Sequence, residues 1–132
     1  MTKAGLASAL IQPFEGCRLQ SYLDGGGVWT IGWGHTGKDV YEGLTIIQSK
    51  ADSLMLADLE PLVELMKDRP ILEAAAWISF GYNLGIGTLK KVLLEPSFVS
   101  VLSYNHIKGV VNEGLTRRRN LEYSLIAVSR GQ

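Results

Sequence analysis

Cysteine is almost missing from this sequence. Cys17 is the only one among 132 residues, so no intrachain disulfide can form and a reducing cytosol suits folding. Its place two residues past Glu15 invites reading it as a nucleophile. No histidine stands near it, however, and we read it as a small thiol packed behind other groups. A charge surplus is missing too: 13 basic residues balance 13 acidic ones. That balance argues against nucleic acid as a partner, because duplex binders carry a basic excess. The two histidines, His35 and His106, lie far apart, which argues against a zinc site. Long apolar runs are also absent. The longest uncharged stretch, Ala74 to Leu89, is 16 residues long and contains Asn83 and three glycines. It reads as a buried central helix, not a membrane span. Ahead of Pro13 there are only Lys3 and a short apolar patch from Gly5 to Ile11, so no secretory signal is expected.

What is present suits a folded domain. Hydrophobic residues make up 46% of the chain, enough for a buried core. No repeat or low-complexity linker divides it, so residues 1–132 are expected to form one domain. Apolar positions Leu6, Ala7, Ala9, Leu10 and Ile11 predict a helix over residues 2–12, ended by Pro13 and Gly16. Arg18 to Leu23 and Val28 to Trp33 read as strands around a turn at Asp24 to Gly27. Residues 36–44 read as loop or a frayed third strand. Thr45 and Gln48 form the pattern of a capping box at the start of a helix. Its stripe runs through Ala51, Leu54, Met55, Leu59, Leu62 and Met66, with Pro61 kinking or restarting it. Further helices are expected over 71–84, 88–94, 96–106 and 115–129. The fold class is therefore α+β: a small antiparallel β lobe of residues 15–40 beside a larger helical lobe of residues 1–14 and 45–132. A cleft between the lobes could hold a polymer.

The chemistry concentrates in residues 15–35. Glu15 closes a helix-like segment, Asp24 follows nine residues later beside three glycines, and Thr30 comes six residues after that. Two carboxylates facing one cleft are the minimum equipment for cleaving a glycosidic bond. Their environments must differ. Glu15, beside Phe14 at the end of an apolar helix, suits the general acid. Asp24, in a glycine turn, suits the ionised general base or electrostatic stabiliser. Taken singly, each residue has a plainer reading: Asp24 as a turn residue, Thr30 as a strand former.

The pattern Phe14-Glu15-Gly16, Leu19, Tyr22, Asp24, Gly27, Trp29-Thr30-Ile31-Gly32, Gly34-His35-Thr36 resembles the phage-type lysozymes, the endolysins of glycoside hydrolase family 24. Three further segments agree in order: Thr45 to Gln48 with Ala51-Asp52, Ser79 to Gly85, and Gly114 to Glu122. The resemblance spans roughly residues 6–126, and residues 86–113 match poorly. It implies a lysozyme-like fold and a muramidase that cleaves the β-1,4 bond between N-acetylmuramic acid and N-acetylglucosamine, with inversion. It adds Thr30 as a holder of the attacking water. An inverting scheme asks for a carboxylate gap of roughly 6.5–9.5 Å. The expected partner is bacterial peptidoglycan. The expected setting is a monomer in the host cytoplasm, released by a holin, with no cofactor and no metal.

Several residues are candidates for holding substrate. Tyr22 and Trp33 could pack on sugar faces, although alternating tryptophans in a strand also read as core. Asn83 could pair with sugar hydroxyls or N-acetyl groups, or simply end its helix. Ser79 lies one turn earlier on the same face. His35 could line the cleft, but reads better as a hydrogen-bonded support at the sheet edge. The resemblance suggests that one of Arg117, Arg118 and Arg119 pairs with Glu15 across the lobes, and Arg118 is carried as the candidate. Its plainer role is an i,i+4 pair with Glu122. A lytic transglycosylase, or a glycan-binding module that kept the fold, remain open alternatives.

Overall fold

The computed structural model describes all 132 residues. Helix α1 spans Lys3–Glu15, started by Thr2, whose hydroxyl accepts from the Gly5 N–H. It runs through Pro13, not up to it. Proline in a last turn forfeits only one backbone bond, and the Gly16 N–H closes the end on the Gln12 carbonyl. The extension makes Glu15 the last helical residue. Strands β1 (Arg18–Leu23), β2 (Trp29–Gly32) and β3 (His35–Thr36) form an antiparallel sheet in that order. The register pairs Tyr22 with Thr30, and Thr30 with Thr36. Of residues 36–44, only Thr36 is strand.

Helix α2 (Gln48–Leu65) corrects one expectation and excludes a restart at Pro61. Thr45 does not cap it, because Thr45 forms a bridge with Gln20, and the Ile46 N–H bonds to the Leu19 carbonyl. Backbone pairing to β1 therefore takes this residue away from the helix start. Pro61 lies inside one continuous helix, and tertiary packing of Leu59 and Leu62 holds it there. Helix α3 (Ile71–Leu84) is the central helix, with every residue from Glu73 to Gly81 buried. Helix α4 (Ile86–Leu93) packs beside it. Gly81 is the point of closest approach, where a Cβ would lie 2.7 Å from Leu62 and 2.9 Å from Leu89.

Within the expected helix over 96–106 the chain forms a six-residue 3₁₀ helix instead of an α-helix. A 3₁₀ turn at Phe98–Ser103 leads into a hairpin of β4 (His106–Ile107) and β5 (Val110–Val111). Its two turn residues, Lys108 and Gly109, have φ of 50° and 80°. Lys-Gly between β-branched residues is a two-residue hairpin signal. Helix α5 (Glu113–Ser129) follows at once, capped by Asn112, whose side chain accepts from the Leu115 N–H. The apolar core gathers around α3 and draws on α1, α2, α4 and α5, including Ile11, Met55, Trp77, Phe80, Leu89 and Ile126.

Candidate active site

Glu15 sits where the helices meet the sheet. Arg118 of α5 donates from Nη1 to Glu15 Oε2 at 2.5 Å. From the other side the turn between β2 and β3 closes on the same carboxylate. Gly34 has φ of 93°, and a Cβ there would stand 2.7 Å from Glu15 Oε1. Only glycine allows both the backbone conformation and the approach. The carboxylate, 20% exposed, is thus held between an arginine and a backbone.

Arg118 is 3% exposed and is itself held. It donates to the Ser79 carbonyl at 3.1 Å and to the Ser79 hydroxyl at 3.3 Å, and its guanidinium lies 5.4 Å from the centre of the Phe14 ring. Ser79 in turn donates to Glu122 Oε2 at 2.6 Å. Arg119, fully buried, donates to Glu122 Oε2 at 3.1 Å and to Asn83 Oδ1 at 2.9 Å. Its Nε lies 2.7 Å from Glu122 Oε1 but off the line of a hydrogen bond, so that contact is ionic. Burial raises the pKa of Glu122 and lowers that of Arg119, while their mutual attraction pulls both the other way. Two arginines and two glutamates balance in this cluster, which lets it sit inside the protein.

Asp24 opens the turn after β1. Its Oδ1 accepts from the N–H groups of Gly26 and Val28, both at 2.8 Å. The turn reading therefore holds, and the backbone of the loop fixes the carboxylate. Thr30 is 4% exposed and donates its hydroxyl to the Val28 carbonyl at 2.9 Å. Having spent its proton, the oxygen keeps lone pairs that can accept from a water. Glu15, Asp24 and Thr30 line one cavity of about 290 Å³, together with Tyr22, Tyr82 and Asn83. A second cavity shares Glu15 and Asn83 and extends toward Ile107, Asn112 and Arg117. A third shares Tyr82 and Gly34 and extends toward Asp58 and Ile86. The three make a continuous groove with Glu15 near its middle, a shape that suits a chain polymer.

A sequence model of the family described as phage lysozyme matches residues 12–122, which contain this whole site. The chain belongs to the phage lysozyme family. It is 33% identical to the endolysin of Bacillus phage B103 over 88% of this chain and 50% of that one. It is 34% identical to the endolysin of Lactococcus phage c2, over 88% of this chain and 56% of that one. It therefore spans about half the length of the curated relatives it matches. Among solved structures it resembles the endolysin from Escherichia coli O157:H7 phage FAHEc1, with a TM-score of 0.78, 28% identity and coverage of 96% and 93%. It also resembles the muramidase domain of SpmX from Asticaccaulis excentricus, with a TM-score of 0.74, 30% identity and 95% coverage of each chain. The mixed helical and small-sheet architecture is the lysozyme fold.

Against this phage lysozyme framework, three expected substrate residues, Ser79, Trp33 and His35, take other places. Ser79 is 1% exposed, and its hydroxyl is used by Glu122 and Arg118, so it stands behind the groove. Arg118 is the arginine that meets Glu15 and also lies 3.5 Å from Glu122, so both of its readings hold; although only 3% exposed, it also lines the second cavity. Trp33 is turned to the helices: Nε1 donates to Asp52 at 2.8 Å, and its carbonyl accepts from the Tyr82 hydroxyl at 2.6 Å. His35 bridges Asp58 (2.7 Å) and Asp39 (2.9 Å), which occupies both ring nitrogens. Burial would lower its pKa, but the bonds to Asp58 and Asp39 outweigh that and raise it. Tyr22 and Asn83 do line the groove. Cys17 faces Gln48, not a base. Sequence reasoning missed Asp58 and Tyr82. Tyr82 lies within the family-like segment Ser79 to Gly85, where it could have been found; Asp58 carries no signal beyond an exposed helical acid.

Proposed function

We propose that this chain is a muramidase that hydrolyses the β-1,4 bond between N-acetylmuramic acid and N-acetylglucosamine in bacterial peptidoglycan. The observation that carries the reading is Glu15, pinned by Arg118 and Gly34 in the same cavity as Asp24 and Thr30. Membership of the phage lysozyme family and likeness to a structure described as a muramidase domain support it. Glu15 protonates the leaving glycosidic oxygen. Asp24, with one oxygen tied to two backbone N–H groups, uses the other to take a proton from the attacking water or to stabilise the sugar cation. Thr30 accepts from that water. The scheme needs only side chains and water, and attack from the face opposite the leaving group inverts the anomeric carbon.

We assign the whole of residues 1–132 to one lysozyme-like domain that works as a monomer on the cell wall. No helix is long and apolar enough to cross a membrane. Accumulation in the host cytoplasm and release by a holin complete the proposed setting.

The decisive experiment is mass spectrometry of fragments released from purified peptidoglycan by wild type and by Glu15→Gln. Reducing muramic-acid ends from wild type are expected, with a rate loss of about 10²–10⁴-fold in the variant. Anhydro ends would instead assign a lytic transglycosylase. Silence from a folded wild type would assign a glycan-binding module.

A further inference from the structure

Asn83 lies next to the C-terminal residue of α3 and takes no part in ending it. The Gly85 N–H closes that end on the Gly81 carbonyl. The side chain of Asn83 borders both the cavity that holds Glu15, Asp24 and Thr30 and the one that runs toward Arg117. Its Oδ1 accepts from Arg119 Nη1 at 2.9 Å. The orientation follows from chemistry. A guanidinium has only donors, so the carbonyl end of the amide must face it. Arg119 is fully buried, locked by Glu122 and laid 5.0 Å over the Phe80 ring, so it cannot swing away. The NH₂ end finds no protein acceptor and is left for the groove. Asn83 therefore offers the groove donors only, an arrangement that selects for an acceptor on the ligand.

We propose that the Asn83 amide donates to the carbonyl oxygen of a substrate acetamido group, and that Arg119 is the positioning residue that turns it that way. The inference rests on the glycan-cleaving reading above and names the substrate group read beside Glu15. A sugar hydroxyl both donates and accepts, so it would pair with either end of an amide. An acetamido carbonyl can only accept, and it matches the end that Arg119 leaves free.

The test compares wild type and Asn83→Asp on peptidoglycan and on the same material after enzymatic de-N-acetylation. Aspartate keeps an oxygen for Arg119, with a charge-assisted bond, and removes both donors. On N-acetylated strands kcat/KM should fall about tenfold or more in the variant. On de-N-acetylated strands the two proteins should differ by less than about threefold, because the acceptor is gone. Equal losses on both substrates, or no loss on either, overturn the inference while leaving the muramidase reading intact. Absence of new reducing ends from wild type on both substrates overturns the muramidase reading and the inference with it. For Arg119, the readout is the ratio of kcat/KM on the two substrates. Arg119→Met should collapse that ratio and Arg119→Lys should partly restore it. A ratio unchanged in folded Arg119→Met assigns Arg119 to stability alone. If that variant does not fold, Asn83→Asp decides by itself, since it retains the Arg119 contact.

Discussion

The helices of this molecule bury Trp77, Phe80, Leu89 and Ile126 in one apolar cluster, whereas the strands place only Thr30, Ile31 and Gly32 out of water. The sheet is fastened to the helices by polar contacts as well as by the packing of Trp33 and Gly32. Trp33 reaches Asp52, Tyr82 reaches the Trp33 carbonyl, His35 reaches Asp58, and backbone bonds join β1 to residues 44–46. The helical part is a non-directional, close-packed body. The sheet is a directional attachment whose geometry depends on a few hydrogen bonds. The groove lies between a wall that resists change and one that can be tuned, and Glu15 is gripped from both.

The charged anchors of the two parts also respond to pH in opposite directions. His35 has a raised pKa in the folded protein, so its contribution is fully present below the unfolded value of 6.5 and is lost as pH rises through the folded value. Glu73, in the first turn of α3, is held by Arg69 (2.6 Å) and Arg130 (2.8 Å). Burial would raise its pKa, but these two arginines outweigh burial and lower it. Its contribution is present above the unfolded value of 4.5 and is lost as pH falls through the folded value. Alkali therefore loosens the sheet attachment and acid loosens the helical part.

The largest expected break in this contrast is Ile126→Ala in the helical core. It should cost about 2–5 kcal/mol in denaturant unfolding, while kcat/KM of the folded fraction stays within about twofold. A comparable loss of activity would mean that the core also shapes the groove. Asp58→Asn tests the attachment. Below pH 6.5 it should cost about 1–2 kcal/mol, and the cost should shrink as His35 loses its proton, flattening stability against pH in that window. A cost independent of pH would refute the role given to His35. Gly34→Ala should cost about 1–3 kcal/mol from its backbone conformation and lose activity well beyond that expected from unfolding, because the new methyl displaces the Glu15 carboxylate. The smallest effect is expected for Tyr82→Phe, about 0.5–1.5 kcal/mol, since it removes a single hydrogen bond between α3 and the sheet. In a double-mutant cycle, Tyr82→Phe and Asp58→Asn should couple if the attachment acts as one unit.

Much of this was legible along the chain. Glu15, Asp24 and Thr30 stand at fixed spacing in a helix end, a glycine turn and a period-two strand, all set by local sequence. The central helix announced itself by its uncharged length. Misreadings arose where another segment competed. Thr45 had the spacing of a helix cap, but β1 took its backbone. The helix read over 96–106 survives only as the 3₁₀ helix Phe98–Ser103, because a neighbouring hairpin turned at Lys108-Gly109 takes His106 into a strand.

The sequence by itself determined which residues we propose to carry the chemistry, the elements they sit on and the lysozyme fold class, because periodicity, turn chemistry and motif spacing are local properties. Only the tertiary structure decided which arginine meets Glu15, which way Asn83 turns, and that Ser79, His35 and Trp33 brace the groove instead of lining it. Apart from the Asp39 contact of His35, those outcomes depend on partners 19 to 103 positions away along the chain. They also depend on burial, which makes a charged residue such as Arg119 or Glu122 a fixed part of the interior where sequence alone reads a solvated helix face.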